Sequence, residues 1–259
     1  MSKALLPKHL EQKQKRSIQK MNVALVFAGG AGHRMKNSAK PKQFLEMYGK
    51  PIIIYTLEHF EKHPEIDTIV IPCIKGWESY LRELLEKFNI KKVQKILTGG
   101  NDTQESKMVA LNYLAGICKK DDIVLLHDAV RPLISKELIS ENLRSVKEFG
   151  NAISYVPFTE TGITSNDKEF IKGTVLRNTL YVAKAPQSFY FQDVYEAHKK
   201  GESMPYTITI DTCSLMTELG IKLHLVPCEH TNIKITTPDD FFIFKALLDL
   251  KENRDIFGF

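Results

Sequence analysis

The sequence of 259 residues has few of the features that mark secreted, disordered or membrane-spanning proteins. It contains only four cysteines and one tryptophan. The cysteines form no C-x-x-C pair and have no histidine at zinc-ligand spacing, so we expect free thiols rather than a disulfide framework or a zinc site. No apolar run approaches the roughly 18 residues that a membrane-spanning helix needs. We therefore expect no stable membrane insertion.

The net charge of +5 is unevenly distributed along the chain. Residues 1–20 carry all of this excess, and residues 21–259 are formally neutral. We predict a basic, poorly ordered extension at residues 1–20 and a domain at residues 21–259, with no nucleic-acid partner. Because no apolar stretch follows the basic residues, the N-terminus does not resemble a secretory signal, and we expect a cytoplasmic protein.

Short β-branched runs alternate with helical periodicity from residue 21 onward, which is typical of strands joined by crossover helices. We predict strands at residues 23–27, 68–72, 93–97, 123–126, 152–156, about 223–226 and 233–235. We predict helices at residues 77–88, 103–117, 135–148, about 191–200 and from about 211. A last helix is predicted to begin at Pro238, with Thr237 as its cap and Asp239 and Asp240 in its first turn. Residues of about 157–185 are polar and strand-like around a T-S-N-D turn, which predicts a hairpin that projects towards a partner subunit.

A glycine-rich block, F-A-G-G-A-G-H-R-M at residues 27–35, directly follows the first predicted strand. Glycines there allow backbone N–H groups to approach phosphate oxygens closely. The spacing fits neither the dinucleotide fingerprint, because Met35 replaces the third glycine, nor the Walker A motif. Arg34 and Lys42 follow as two cations suited to stabilising charge on a nucleotide α-phosphate and on departing pyrophosphate. The alternative interpretation is a tight turn followed by a solvated basic loop.

A second block, L-H-D-A-V-R-P at residues 126–132, ends the fourth predicted strand. Open α/β sheets bind ligands at this edge. Asp128 is a candidate Mg²⁺ ligand, because Mg²⁺ is held by one or two carboxylates plus substrate phosphates. Arg131 could hold a second phosphate through paired hydrogen bonds. The alternative is a helix-capping carboxylate beside a surface cation.

Eight blocks taken in order resemble the cytidylyltransferases of sugar and polyol phosphates. They are F-A-G-G-A-G-H-R-M, P-K-Q-F, G-K-P-I, T-G-G-N-D-T-Q-E-S, H-D-A-V-R-P, L-R-N-T-L-Y, A-P-Q-S-F and N-I-K-I-T-T-P-D-D. Two branches are similar: the 2-C-methyl-D-erythritol 4-phosphate enzymes of isoprenoid synthesis and the ribitol-5-phosphate enzymes of teichoic-acid and capsule synthesis. The resemblance covers nearly everything after Met21.

The resemblance implies an α/β fold with a doubly wound, mostly parallel, Rossmann-like nucleotidyltransferase sheet. It implies a homodimer joined by a projecting β-arm at about residues 157–185. The implied reaction is a Mg²⁺-dependent attack of a polyol phosphate on the α-phosphate of CTP, with release of pyrophosphate. No protein base is needed, because the attacking phosphate is already an anion near neutral pH.

Carried over motif by motif, the resemblance also implies the roles of individual residues. The implied catalytic residues are Arg34, Lys42 and Lys234. The implied nucleotide-binding residues are Ala28, Gly29, Gly30, Ala31 and Gly32 at the triphosphate, and Gly100, Asn101 and Ser106 at cytosine. The implied acceptor-binding residues are Arg131 and, from the partner subunit, Thr161 and Arg177. The implied metal ligand is Asp128, with Asp211 a weaker candidate because an Asp before a helix is usually an N-cap.

Two departures from the family pattern leave the acceptor open. Ala185 replaces a threonine that is usual before Pro-Gln, and Thr103 replaces an arginine common in the nucleotide loop. The spacing of residues 35–41, the L-R-N-T-L-Y block and Val130 favour the ribitol branch, which would make CDP-ribitol. The methylerythritol branch remains the alternative, and a catalytically inactive nucleotide-binding protein is an alternative of another class. A related glycosyltransferase would be expected to carry a D-x-D motif, which this sequence lacks.

Overall fold

The computed structural model describes residues 20–30 and 40–257, with side chains through Leu250. Its strands are β1 (Asn22–Phe27), β2 (Glu46–Met47), β3 (Lys50–Pro51), β4 (Thr68–Cys73), β5 (Val93–Thr98), β6 (Ile123–Asp128), β7 (Asn151–Pro157), β8 (Gly162–Thr164), β9 (Gly173–Val175), β10 (Tyr181–Tyr190) and β11 (Leu225–Pro227). Its helices are α1 (Ile52–Lys62), α2 (Glu78–Lys87), α3 (Thr103–Ala115), α4 (Lys136–Phe149), α5 (Phe191–Gly201), α6 (Tyr206–Thr209), α7 (Thr212–Glu218) and α8 (Pro238–Phe257). Two short 3-10 turns span Lys42–Phe44 and Arg177–Thr179.

A seven-stranded sheet in the order β11-β7-β10-β6-β1-β4-β5 organises the chain. Strand β1 pairs in parallel with β6 and β4, and β4 pairs in parallel with β5. Strand β10 runs antiparallel to both of its neighbours, β6 and β7. Parallel neighbours need crossover connections, which α1, α2 and α3 supply in turn. The predicted fold, a mostly parallel α/β sheet, is confirmed.

The register brings the carboxyl ends of four strands to one edge of the sheet. Phe27 at the end of β1 lies opposite Asp128 at the end of β6. Cys73 at the end of β4 lies opposite Thr98 of β5 and bridges to Ala28. The loops that follow β1, β5 and β6 therefore meet at this edge, which is where the site forms.

Strand β1 shows how the two faces of the sheet are buried. Its residues Ala24 and Val26 pack with the apolar side chains of α1, α2 and α4. The alternate residues Val23 and Leu25 pack with those of α3, α5 and α7 on the opposite face. Side chains alternate between the two faces along a strand, and helices cover both faces of β1. A strand in this position therefore needs a continuous apolar run.

No helix in the described part of the chain combines the length and apolar character needed to cross a bilayer.

One predicted strand is wrong, and one strand of the main sheet was not predicted. Residues 233–235 are not a strand, since only Ile235 N–H makes a sheet-like hydrogen bond, to the Val130 carbonyl at 2.9 Å. Their apolar-polar alternation arises because both isoleucines pack in the cluster around Phe244. Strand β10 was not predicted, because Pro186 lies within it, but the register of β10 against β7 shifts at that point and accommodates the missing N–H.

The predicted arm at residues 157–185 contains the hairpin of β8 and β9. Its last residues belong instead to β10, where Tyr181 pairs with Pro157 of β7. The predicted cap of α8 is confirmed, because the Thr237 hydroxyl accepts from Asp240 N–H at 3.4 Å and the Asp240 carboxylate accepts from Thr237 N–H at 2.8 Å. The predicted basic extension lies outside the described residues except for Lys20, whose Nζ lies 2.9 Å from the Asp121 carboxylate.

Candidate active site

A cleft of about 480 Å³ lies at the edge where β1, β5 and β6 end. Its lining combines the end of β1 and residues 28–30 of the glycine-rich block (the glycine loop) with the start of α3 and the segment before α8. The lining residues are Phe27, Ala28, Gly29, Gly30, Lys42, Gln43, Asn101, Asp102, Thr103, Ser106, Asp128, Val130, Tyr206, Lys234 and Thr236. Most of the predicted residues in the described ranges thus come together around one cleft.

Hydrogen bonds from Gln43 hold the loop after β1 in place. This buried side chain donates from Nε2 to the carbonyls of Ala28 and Gly30 at 2.7 and 3.4 Å. A side chain at Gly29 would begin 3.1 Å from Ser106 Oγ, so glycine lets this loop pack against α3. Three predicted residues of this region, Ala31, Gly32 and Arg34, lie outside the described residues.

Lys42 reaches the cleft from the 3-10 turn Lys42–Phe44. The two residues that follow it anchor the turn, because Gln43 and Phe44 are buried. The Phe44 ring stacks on Trp77, with 5.0 Å between ring centroids. This anchoring limits the conformations of the backbone that carries Lys42. The Lys42 ammonium group is therefore confined to the region of the cleft.

The loop between β5 and α3 is organised by reciprocal hydrogen bonds. Asp102 is the N-cap of α3 and accepts from Glu105 N–H at 2.8 Å, while the Glu105 carboxylate accepts from Asn101 N–H at 2.6 Å. Ser106 Oγ accepts from Gly100 N–H at 3.0 Å. A Cβ at Gly100 would lie 2.9 Å from the Glu105 carbonyl carbon, so only glycine fits there. The loop therefore presents Asn101 and Ser106 to the cleft beside the positive end of α3.

Asp128 lies at the end of β6 between two cations. Its Oδ1 accepts from Lys234 Nζ at 2.8 Å and its Oδ2 from Arg131 Nε at 2.8 Å. Burial raises the pKa of Asp128, but the charges of Lys234 and Arg131 and their hydrogen bonds outweigh burial and hold this pKa well below its usual range. The carboxylate is thus ionised near neutral pH, as a metal ligand must be.

The segment of residues 231–236 supports this ion-pair network. Arg131 Nη1 donates to the Asn232 carbonyl at 3.1 Å, and Asn232 Nδ2 donates to the Ala185 carbonyl at 2.7 Å. Ile235 is fully buried, so the neighbouring Lys234 is directed to the cleft. In the structure, Arg131 thus orients the Asp128 carboxylate. The predicted contact of Arg131 with a substrate phosphate stays a prediction.

His127, next to Asp128, stays neutral. Burial lowers the pKa of His127 to about 3, and Nε2 lies 3.2 Å from the Arg131 carbonyl. Because a carbonyl only accepts, Nε2 must carry the proton. The ring therefore holds the turn that carries Asp128 and Arg131 without adding a charge to the site.

A smaller cavity of about 140 Å³ adjoins the cleft and shares Asp128 and Lys234 with it. Asp211 lines this cavity as the N-cap of α7, where it accepts from Cys213 N–H at 3.0 Å and from Gln187 Nε2 at 3.2 Å. The expected capping role of Asp211 is confirmed, whereas its role as a metal ligand stays a prediction. Ala185 also lines this cavity, which places the departure from the family pattern beside the site.

The two arm residues do not join the site within one chain. Arg177 Nη2 donates to Thr161 Oγ1 at 3.2 Å, and both side chains are exposed. Neither residue lines the cleft or the smaller cavity. Their predicted contribution would have to come from a partner subunit.

A bound Mg²⁺ would depend on substrate oxygens here. In the described part of the chain, no group of three or more His, Cys, Asp or Glu side chains could hold a metal ion. The ionised Asp128 on the cleft wall, with Asp211 in the adjoining cavity, nevertheless fits an ion that takes one or two carboxylates plus phosphates.

Sequence reasoning missed several residues that shape the site. Gln43, Gln187 and Asn232 lie within blocks that carried the resemblance, but no role was assigned to them. Lys107 carried a detectable signal, because it continues the stripe of Leu111 and Leu114 on the buried face of α3.

Comparison with known proteins agrees with this geometry. The sequence profile of the family described as "IspD: 2-C-methyl-D-erythritol 4-phosphate cytidylyltransferase" matches residues 22–250. A ribitol-5-phosphate cytidylyltransferase of Vibrio parahaemolyticus is 48% identical over 92% of this chain and 100% of its own length. One of Streptococcus agalactiae serotype III is 43% identical over 92% of this chain and 100% of its own length.

Solved structures show the same fold. The 4-diphosphocytidyl-2C-methyl-D-erythritol synthase of Anaerococcus prevotii superposes with a TM-score of 0.76 and 25% identity, covering 89% of this chain and 96% of its own. The 2-C-methyl-D-erythritol 4-phosphate cytidylyltransferase of Francisella tularensis gives a TM-score of 0.72 and 26% identity, covering 87% and 99%. The predicted resemblance is confirmed: the chain belongs to the IspD family of cytidylyltransferases.

Proposed function

We propose that this protein transfers the cytidylyl group of CTP to a polyol phosphate, with D-ribitol 5-phosphate as the acceptor, giving CDP-ribitol and pyrophosphate. The observation that carries the proposal is the arrangement of one cleft, in which Lys42 and Lys234 lie with the glycine loop and the start of α3. The choice of acceptor is supported by relatives of 43% and 48% identity that are named ribitol-5-phosphate cytidylyltransferases. We further propose that this reaction takes place in the cytoplasm.

The proposed step is an in-line displacement at the α-phosphorus of CTP. An oxygen of the acceptor phosphate forms a bond to this phosphorus, and the bond between the phosphorus and the bridging oxygen breaks, with pyrophosphate leaving with the electron pair. The attacking phosphate is already deprotonated, so no side chain has to take a proton. Catalysis then consists of alignment and charge stabilisation.

Each part of the cleft has a task in this step. The loop that begins at Ala28, Gly29 and Gly30 would bind the triphosphate through its N–H groups, and Asn101 and Ser106 would bind cytosine. Lys42 and Lys234, with Arg34 by resemblance, would neutralise the negative charge that builds on the transferring group. Asp128, with Asp211 as a weaker candidate, would hold Mg²⁺, which when bound shares the charge of the triphosphate.

We also propose that the protein acts as a homodimer through the β-arm. Between residues 162 and 176 the arm exposes four large apolar side chains, Ile163, Phe170, Ile171 and Leu176, which are 56%, 74%, 65% and 72% exposed. Exposed apolar groups concentrated on a projecting hairpin are typical of an interaction surface. In such a dimer, Thr161 and Arg177 would reach the acceptor pocket of the partner subunit.

A subunit-mixing experiment tests the dimer. With the acceptor well below the KM of Arg177→Ala, Lys42→Ala and Arg177→Ala would each be weakly active alone, but a mixed dimer would contain one site with both native residues. Equal mixing with free exchange gives mixed dimers half of the time, so about a quarter of wild-type activity should return. No recovery, or a monomer in sedimentation analysis, would refute the shared site.

One specific observation favours a second acceptor. The family profile and the solved structures above carry the name of the 2-C-methyl-D-erythritol 4-phosphate enzymes. Pyrophosphate release from CTP and Mg²⁺ should therefore be measured with each acceptor in parallel. Release with ribitol 5-phosphate supports the proposal, and release with methylerythritol phosphate alone replaces the acceptor. Silence with both refutes the two acceptors and points to a different acceptor or to an inactive nucleotide-binding protein.

A further inference from the structure

Lys107 is a buried cation that the proposed mechanism does not use. It lies on α3 next to Ser106, and only 5% of its surface is exposed. Burial lowers the pKa of Lys107 to about 8, although the charges of Asp211 and Asp128 oppose this shift. Lysines are rarely buried, because removing an ammonium group from water is costly. A buried lysine that lines a cavity beside an active site is therefore a candidate functional residue.

The hydrogen bonds of Lys107 leave part of its capacity unused. Its Nζ donates to the Ile210 carbonyl at 2.9 Å and to the Thr209 carbonyl at 3.4 Å. An ammonium group has three donors, and no third acceptor is found among the described residues. Because Lys107 lines the cavity, its remaining donor can serve a molecule bound there.

Asp211 provides acceptors in the same cavity. Its two oxygens accept from Cys213 N–H and from Gln187 Nε2, the latter at 3.2 and 3.3 Å. A carboxylate has about four lone-pair sites, so it can accept further hydrogen bonds. Lys107 and Asp211 together offer a donor and an acceptor, which is what a hydroxyl group needs.

The position of the cavity selects the part of the substrate that it would bind. It meets the cleft at Asp128 and Lys234, where the reacting phosphates would be, and extends from there to Lys107, Gln187 and Asp211. One water needs roughly 10–15 Å³ of such space, so a cavity of about 140 Å³ has room for several hydroxylated carbons.

We propose that Lys107, Asp211 and Gln187 form a subsite that binds the hydroxyl groups of the acceptor's carbon chain and thereby sets acceptor specificity. This inference rests on the proposed function, because it concerns the acceptor of that reaction. A site built to bind substrate hydroxyls discriminates strongly against analogues that lack them, since its buried polar groups are then left unpaired.

The test compares acceptors of different length in two variants. The kcat/KM would be measured for D-ribitol 5-phosphate and for glycerol 3-phosphate, which has fewer hydroxylated carbons. Lys107→Met removes the ammonium group at similar volume. Asp211→Asn keeps the N-cap, because asparagine caps helices as well as aspartate, so it serves as the variant that should still fold.

In each variant we expect the preference for ribitol 5-phosphate over glycerol 3-phosphate to fall about tenfold or more, with the KM for CTP nearly unchanged. An equal loss for both acceptors would show that these residues only support the fold or a metal ion, and would overturn the inference. A wild-type enzyme that uses neither acceptor would refute the proposed function itself, and the inference with it.

Discussion

Asp128→Asn tests the ion-pair network at the centre of the site. In the structure, the Asp128 carboxylate is shared by Arg131 and Lys234, each at 2.8 Å. Asparagine has the same shape but carries no charge, so the two cations would remain without a counter-charge. We expect this substitution to lower the free energy of unfolding.

The magnitude follows from the burial of the three side chains. Removing one partner of a fully buried ion pair costs about 3–5 kcal/mol, whereas exposed pairs contribute about 0–1 kcal/mol. The side chains of Arg131, Asp128 and Lys234 are 10%, 24% and 41% exposed, which is intermediate. We therefore expect a loss of about 2 kcal/mol, equivalent to a fall in Tm of about 4–8 °C for a domain of this size.

The effect should depend on pH in a defined direction. The pKa of Asp128 is lower in the folded protein than its ordinary value, because Lys234 and Arg131 outweigh the effect of burial. The stabilisation is therefore fully present above the unfolded pKa of about 3.9 and is lost as the pH falls through the folded pKa. The difference between wild type and Asp128→Asn should be full at neutral pH and shrink below about pH 4.

Urea unfolding with a chelator present, at neutral and acidic pH, would measure both effects. Asp121→Asn is the matched control, because its ion pair with Lys20 has a similar length of 2.9 Å but is 53% and 59% exposed. The control should change stability little. Equal losses in the two variants, or a loss for Asp128→Asn that is the same at every pH, would refute the reasoning.

Three further predictions concern catalysis. Lys42→Ala should lower kcat by about 100-fold or more while CTP binding, measured by calorimetry, partly survives, since its charge acts mainly in the transition state; an unchanged kcat would remove Lys42 from the mechanism. Gly100→Ala should weaken CTP binding at least tenfold, because the new Cβ would meet backbone of Glu105, whereas Gly116→Ala, whose Cβ would lie 3.4 Å from its nearest neighbour, should bind CTP normally. Arg177→Ala should raise the KM for the acceptor with little change in the KM for CTP, and a rise in both would argue against an acceptor role.

Part of the fold was predictable because it depends on local pattern. The apolar runs of β1, β4 and β6 are continuous, as is typical of strands covered on both faces. Ser135 and Thr237 are the residue types that cap helices, and they are the N-caps of α4 and α8. Strand β10 was not predictable in this way. Its Pro186 opposes strand formation, and only pairing with β6 and β7 on both sides makes that segment a strand.

The sequence by itself determined the family. It also indicated the glycine loop and singled out Lys42, Asp128 and Lys234 as candidate site residues, because these features depend on residue types at short spacing. Only the tertiary structure decided which groups interact. Asp128 and Lys234 are 106 residues apart in the chain and meet at 2.8 Å because the buried Ile235 fixes the segment that carries Lys234. Lys107 likewise acquires its environment from Thr209 and Ile210, about one hundred residues further on. Contacts of this range depend on the register of the sheet and the packing of helices on it, and no local pattern of residues specifies them.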